Sequence, residues 1–239
     1  MSAWGIVERR LGKLPRKLKK LRLRPIHVFL FHQVSDTFVD STMKRGDWTE
    51  IGQFKHNLVF LKKEYRFVSL EKAYEMMRKD VFRFRDYAVL TSDDGWASLR
   101  NVLPWLAEQG IPVTLFLNPC YFDGVHFREK DTERYLLTGE IRDICDTYPK
   151  VTYGMHGWEH IRATDQTEEA FRESVRKSWE ALRVFSNFIP YFAYTYGCFD
   201  ELHGRIINEF GFVPVLIDKD KNVDDLRCIH RELLDGMAL

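Results

Sequence analysis

The sequence predicts a single α/β domain, a barrel of about seven parallel strands wrapped by crossover helices. Three observations predict it. Short apolar runs alternate with longer amphipathic stretches along the chain. A length of 239 residues suits one domain of this kind. Chemically capable polar residues recur just past the ends of the apolar runs, where a parallel barrel gathers its ligand-binding loops. An open doubly wound sheet is the competing architecture.

The first strand is placed at Ile26–Phe31, an apolar run (IHVFLF) that stops at His32. Trp48–Tyr65 and Leu70–Lys79 follow with helical periodicity. Tyr87–Thr91 is the second strand, rich in β-branched and aromatic residues and closed by two acids, Asp93 and Asp94. Ala97–Gln109 reads as the next helix, with Gly110 as its C-terminal stop. The alternation continues through strand Pro112–Leu117, helix Glu133–Thr147, strand Val151–Met155, helix Thr167–Phe188 and strand Tyr191–Tyr194. Asp200–Phe210 is a helix stopped by Gly211, and Phe212–Ile217 and Leu226–Ile229 are the last two strands. The chain carries no internal repeat, low-complexity tract or linker.

With 45% hydrophobic and 30% charged residues and a net charge of +1, the composition is that of a globular domain and excludes a disordered chain. It does not point to nucleic acid. Charge is nevertheless concentrated at the start, where nine Lys and Arg residues between Arg9 and Arg24 face one acid, Glu8, and interleave with Trp4, Ile6, Leu11, Leu14 and Leu18. Residues 1–24 are therefore set apart from a domain spanning 25–239. They read either as a basic amphipathic segment lying on an anionic membrane surface or as a tail packed on the barrel, with Pro15 kinking any helix. The expected location is cytoplasmic, with peripheral association at the inner membrane face, because the basic start lacks the apolar core and cleavage site of a secretory signal. Cys120, Cys145, Cys198 and Cys228 are far apart, which suggests neither a zinc knuckle nor a disulfide framework.

The residues at strand ends form a series. His32, Asp93 and Asp94, Asn118, His156, Tyr196 and Asp218 each follow an apolar run. Two adjacent carboxylates in a pocket repel unless a cation neutralises one of them. His156 and His160, in HGWEH, supply the imidazoles that with Asp94 make a ligand set for Zn²⁺ or a similar dication, Co, Ni or Mn included. Asp93, outside that shell, is then free to act as a base on water. Taken singly, DDG reads as a turn and an i, i+4 histidine pair as a solvated helix face; together at the ends of two strands they read as a site.

These motifs resemble those of the polysaccharide deacetylases, carbohydrate esterase family four with the NodB homology domain. The first family motif, T-F-D-D-G, stands as Thr91-Ser92-Asp93-Asp94-Gly95, and the second, H-[ST]-x-x-[HD], as His156-Gly157-Trp158-Glu159-His160. The third, R-x-P-[YF]-G, is reduced to Ala193-Tyr194-Thr195-Tyr196-Gly197, keeping the aromatic and the glycine. The resemblance runs from about Pro25 to the C-terminus and implies a distorted (β/α) barrel. It implies that Asp93 is the general base, that Asp94, His156 and His160 hold the metal, and that the Tyr196 backbone N–H helps hold the oxyanion.

The family fixes its catalytic aspartate with the arginine that this chain replaces by Ala193, so Asp93 has less support unless another cation substitutes. By the same resemblance the general acid comes from an L-x-H motif, for which His230 in RCIHRELL is the favoured candidate and His32 the competitor. An acid that tunes this histidine would fall near Asp218 or Asp224. Trp158, Asn118 and His32 are the expected substrate contacts, Trp158 by stacking on a sugar ring. The implied function is metal-dependent removal of an N-acetyl or similar small acyl group from an amino sugar of a polysaccharide, oligosaccharide or lipid-linked precursor. A reading from a different class is a catalytically inactive barrel that binds carbohydrate or a partner enzyme; the missing arginine motivates it.

Overall fold

The computed structural model describes residues 25–36, 48–79, 83, 85–126, 133–217 and 228–235. The basic segment 1–24, Asp218 and Asp224 lie outside the described residues. Among the described residues no helix is long and apolar enough to cross a membrane.

The strands are β1 (Ile26–Phe31), β2 (Gln33–Val34), β3 (Trp48–Thr49), β4 (Tyr65–Phe67), β5 (Asp86–Ser92), β6 (Val113–Leu117), β7 (Val151–Met155), β8 (Phe188–Ala193), β9 (Val213–Ile217) and β10 (Ile229–Leu233). The helices are α1 (Ile51–Glu64), α2 (Leu70–Arg78), α3 (Leu103–Glu108), α4 (Thr138–Thr147), α5 (Glu168–Leu182) and α6 (Glu201–Glu209). Seven parallel strands close a ring in the order β1-β5-β6-β7-β8-β9-β10, and β10 returns to β1. The closing seam is long: β1 pairs with β5 over six residues, from Ile26↔Tyr87 to Phe31↔Ser92. That pairing decides for a barrel over an open sheet. β4 adds to the lower half of β5, at Asp86–Ala88, below the point where β6 begins to pair at Leu90.

Strand alternation sorts the side chains into two layers. Val28, Val89, Phe116, Tyr191, Ala193, Val215 and Ile229 fill the barrel interior, and Leu70 and Ala73 of α2 plug its lower end. Their neighbours in sequence, Phe29, Leu90, Leu115, Tyr153, Phe192 and Leu216, face outward into the layer beneath the helices. The interior is narrow enough to require glycine at 154, where a Cβ would lie 2.4 Å from the Phe116 ring.

Local signals end the helices where the physics expects. Thr167 caps α5 by accepting from the Ala170 N–H at 3.2 Å, and Asp200 caps α6 by accepting from the His203 N–H at 3.1 Å; each is worth about 1 kcal/mol. The expected helix over 97–109 is a 3₁₀ turn, Ala97–Asn101, followed by the short α3, because Pro104 suits the first turn of a new helix and lacks the N–H that would continue an old one. The expected helix end at Phe188 is corrected to Leu182, since Phe188 already belongs to β8. The last strand differs most. It runs Ile229–Leu233, through His230 and not up to it, so that Ile229 and Arg231 face inward while His230 and Glu232 face outward.

Candidate active site

The site lies at the C-terminal ends of the barrel strands. β5 ends by presenting Asp93, 1% exposed, and Asp94, whose φ of 72° places a non-glycine residue in the left-handed region. Such strain persists only where surrounding contacts hold it. The two carboxylates are turned to different partners.

Asp93 receives a two-pronged grip from Arg231, with Nη1 2.6 Å from Oδ1 and Nη2 2.8 Å from Oδ2. Arg231 is fully buried, donates through Nε to the Leu216 carbonyl at 3.3 Å, and rests over the Phe116 ring at 5.3 Å. Burial raises the Asp93 pKa, but the charge of Arg231 and its hydrogen bonds outweigh it and leave the carboxyl below its ordinary value. Asp93 is thus an ionised carboxylate held in one orientation.

Asp94 faces the imidazoles instead. Its Oδ1 lies 3.5 Å from His156 Nε2 and 3.1 Å from His160 Nε2, and one ligand atom from each of the three residues falls within 4.8 Å of the others. His156 donates through Nδ1 to the Ala193 carbonyl at 2.8 Å, which fixes the tautomer that turns Nε2 toward Asp94. Burial lowers the His156 pKa to about 4, keeping the ring neutral as metal ligation requires. Two imidazoles and one carboxylate, converging from two loops, fit a divalent cation of the zinc type. Gly157, with φ of 88°, makes the turn between the histidines; the hydroxyl residue of the resembling motif would be strained there.

His32, at the end of β1, donates both its backbone N–H (3.0 Å) and Nδ1 (2.7 Å) to Asp235 Oδ2, while Thr49 of β3 donates to Oδ1 at 3.1 Å. Burial opposes the charged ring, but the Asp235 hydrogen bond and the charges of Asp235, Asp94 and Asp93 raise the His32 pKa to about 9. Tyr196 stands in the left-handed region at φ 57°, half exposed, with its ring 4.6 Å edge-on to His160 and beneath the Arg162 guanidinium at 4.8 Å.

The structure therefore gathers Asp93, Asp94, His156, His160, Tyr196 and His32. It does not gather His230. That residue was placed at the end of the last strand, but the strand extends through it, and the alternation that aims Arg231 at Asp93 turns His230 to the outer face. Asn118 is also not aimed at substrate: at 1% exposure its Nδ2 donates to the His156 and Gly157 carbonyls at 2.7 and 3.2 Å, tying down the histidine loop. Trp158 is half-buried beside a shallow cavity of about 260 Å³ that it shares with Ala170, Ser174 and Lys177, and the Lys177 ammonium sits 5.8 Å from its ring. A larger groove of about 750 Å³, along Arg100, Arg134 and α4 on the outside of the barrel, contains none of these residues.

Sequence reasoning missed two site residues, Arg231 and Asp235. The signal for Arg231 was its register, two residues after Ile229 on an inward-facing strand position. Asp235 stands just past the end of that strand, and the misplaced boundary hid both.

Comparison with known proteins agrees with this fold. The family model described as polysaccharide deacetylase matches residues 84–215, which contain all three motifs. Solved structures with the same fold include IcaB from Ammonifex degensii (20% identity, TM-score 0.71, covering 89% of this chain and 93% of that one). The deacetylase PplD of Streptococcus pyogenes, in complex with acetate, aligns at 16% identity and TM-score 0.69 over 86% of this chain and 90% of that one. A de-N-acetylase from Aggregatibacter actinomycetemcomitans aligns at 14% identity and TM-score 0.68, covering 88% and 95%. No curated protein sequence matches. The match of the family model over more than half of the sequence, on a closed seven-stranded barrel, shows that the chain belongs to the polysaccharide deacetylase family.

Proposed function

We propose that the protein is a metal-dependent hydrolase that removes an N-acetyl or similar small acyl group from an amino sugar of a glycan or its precursor. One observation carries this reading: the adjacent carboxylates at the end of β5 are divided between two tasks, Asp93 locked as an anion on Arg231 and Asp94 converging with two imidazole Nε2 atoms. A barrel that only bound carbohydrate would have no use for such a division. The arginine missing at 193 was the motive for an inactive barrel, and Arg231 supplies the cation from a different strand.

Asp94, His156 and His160 would hold the ion, zinc first among Zn, Co, Ni and Mn. When bound, the ion supplies Lewis acidity and lowers the pKa of water in the pocket. Asp93 takes the proton of the water that attacks the amide carbon. The backbone N–H of Tyr196 helps hold the developing oxyanion, a role that does not depend on the motif's proline. His32, held protonated and oriented by Asp235, gives its proton to the departing amine. The products are acetate, or the corresponding acid, and a free amino sugar. Trp158 and Tyr196 present aromatic faces on which a sugar ring can stack.

His32→Asn is expected to lower kcat for acetate release from an N-acetylglucosamine oligomer by ~10²- to 10⁴-fold, whereas His230→Asn stays within about two-fold of wild type. Equal losses in both variants would remove His32 from the acid role. The same pair leaves a mark on stability in the metal-free protein. A histidine whose pKa is raised on folding stabilises fully below its unfolded value of about 6.5 and loses that contribution as pH rises through about 9. The gap in Tm between wild type and His32→Asn should therefore close between those pH values.

A further inference from the structure

Trp96 is a large aromatic one residue beyond the DDG motif, and at first sight an ordinary core residue. Its indole Nε1–H instead donates to Asp94 Oδ2 at 3.1 Å. That bond leaves Oδ1 as the oxygen turned toward His156 and His160. Trp96 is 4% exposed, so its donor works in a dry setting where a charge-assisted bond is strong.

The indole is itself held by a column of rings. Tyr135 stacks on Trp96 at 4.6 Å and 20°, and Tyr121 stacks on the other side of Tyr135 at 4.3 Å and 14°. The Tyr121 hydroxyl then accepts the backbone N–H of His160 at 3.3 Å. The column thus begins on one prospective metal ligand and ends on another, although Asp94 follows β5 and His160 follows β7. Backbone bonds pin its base: the Gly95 carbonyl accepts from the Leu136 N–H at 2.8 Å, and Ala97 donates to the Arg134 carbonyl at 3.0 Å.

We propose that the Trp96–Tyr135–Tyr121 stack is a positioning device for the metal centre, with the Trp96 indole N–H restricting Asp94 to ligation through one oxygen and the Tyr121 hydroxyl holding the His160 backbone. The inference rests on the metal reading above. Groups of this kind, hydrogen-bonded to a ligand without touching the ion, typically change metal affinity by ~10- to 100-fold when removed.

The test is Zn²⁺ affinity, measured on the full chain by competition with a chromogenic chelator, beside Tm of the metal-free proteins. Trp96→Phe keeps a ring in the stack and deletes the donor; it is expected to raise the Zn²⁺ Kd by ~10- to 100-fold, while the metal-free protein still folds with a Tm lowered by the lost bond and the smaller ring. Tyr121→Phe deletes one oxygen from a residue that otherwise stays packed, and is expected to weaken Zn²⁺ binding by a smaller factor. It decides the matter alone if Trp96→Phe does not fold. Zn²⁺ binding by wild type with unchanged Kd in the folded variants overturns the inference and leaves the metal reading standing. Failure of wild type to bind Zn²⁺ overturns both.

Discussion

Asp93→Asn is expected to lower acetate release by ~10²- to 10⁴-fold while leaving the divalent ion bound. The asparagine keeps the size of the side chain, and its one carbonyl oxygen still accepts from Arg231, but it cannot take a proton from water. Asp94, His156 and His160 are untouched by the change, so metal content by elemental analysis should match wild type. This pairing of lost turnover with retained metal separates a base from a ligand. Activity near the wild-type level would mean that the proton goes elsewhere, and a binding-only barrel would show no activity to lose.

Arg231→Met is expected to have the largest effect on stability. It leaves Asp93, 1% exposed, as a buried carboxylate without its counter-charge. Breaking a buried pair by removing one partner costs about 3–5 kcal/mol, which for a chain of this length lowers Tm on the order of 10 °C. The Asp93 pKa should rise, and kcat should fall at neutral pH because less of the base is ionised. Arg231→Lys keeps the charge without the two-pronged grip and should recover part of the stability and less of the rate. Adding Asp93→Asn to Arg231→Met removes the stranded charge, so the double variant should be more stable than the sum of the single losses allows.

The pH dependence has a definite sign. A carboxyl whose pKa is lowered on folding stabilises above its unfolded value of about 3.9 and loses that contribution as pH falls through the folded value. The deficit of metal-free Arg231→Met relative to wild type should therefore be full at neutral pH and shrink in acid.

Much of the fold was legible because the barrel strands are nearly continuous apolar runs. Ile26–Phe31 and Val151–Met155 appear in the structure with the bounds read from sequence. The Asp94–His156–His160 cluster was legible for a related reason: Asp94 and His156 each stand where such a run stops, and His160 follows His156 by four residues. β10 was not legible, because its five residues, IHREL, include a histidine and two charged residues. Its inward arginine is affordable only because Asp93 waits across the barrel, a long-range fact that no local pattern encodes. From that one misplaced strand came three consequences: His230 set past a strand end that in fact runs through it, Arg231 overlooked as the partner of Asp93, and Asp235 overlooked as the partner of His32. Trp96 shows a subtler limit, since hydrophobicity predicts its burial and says nothing of where its N–H points.

Metal content of the purified wild-type protein beside His156→Ala tests the central claim most directly. About one divalent ion per chain in the wild type, lost in the variant, is the predicted result. An ion absent from both, even after reconstitution with zinc, would contradict the account and leave the barrel a carbohydrate-binding relative of the deacetylases.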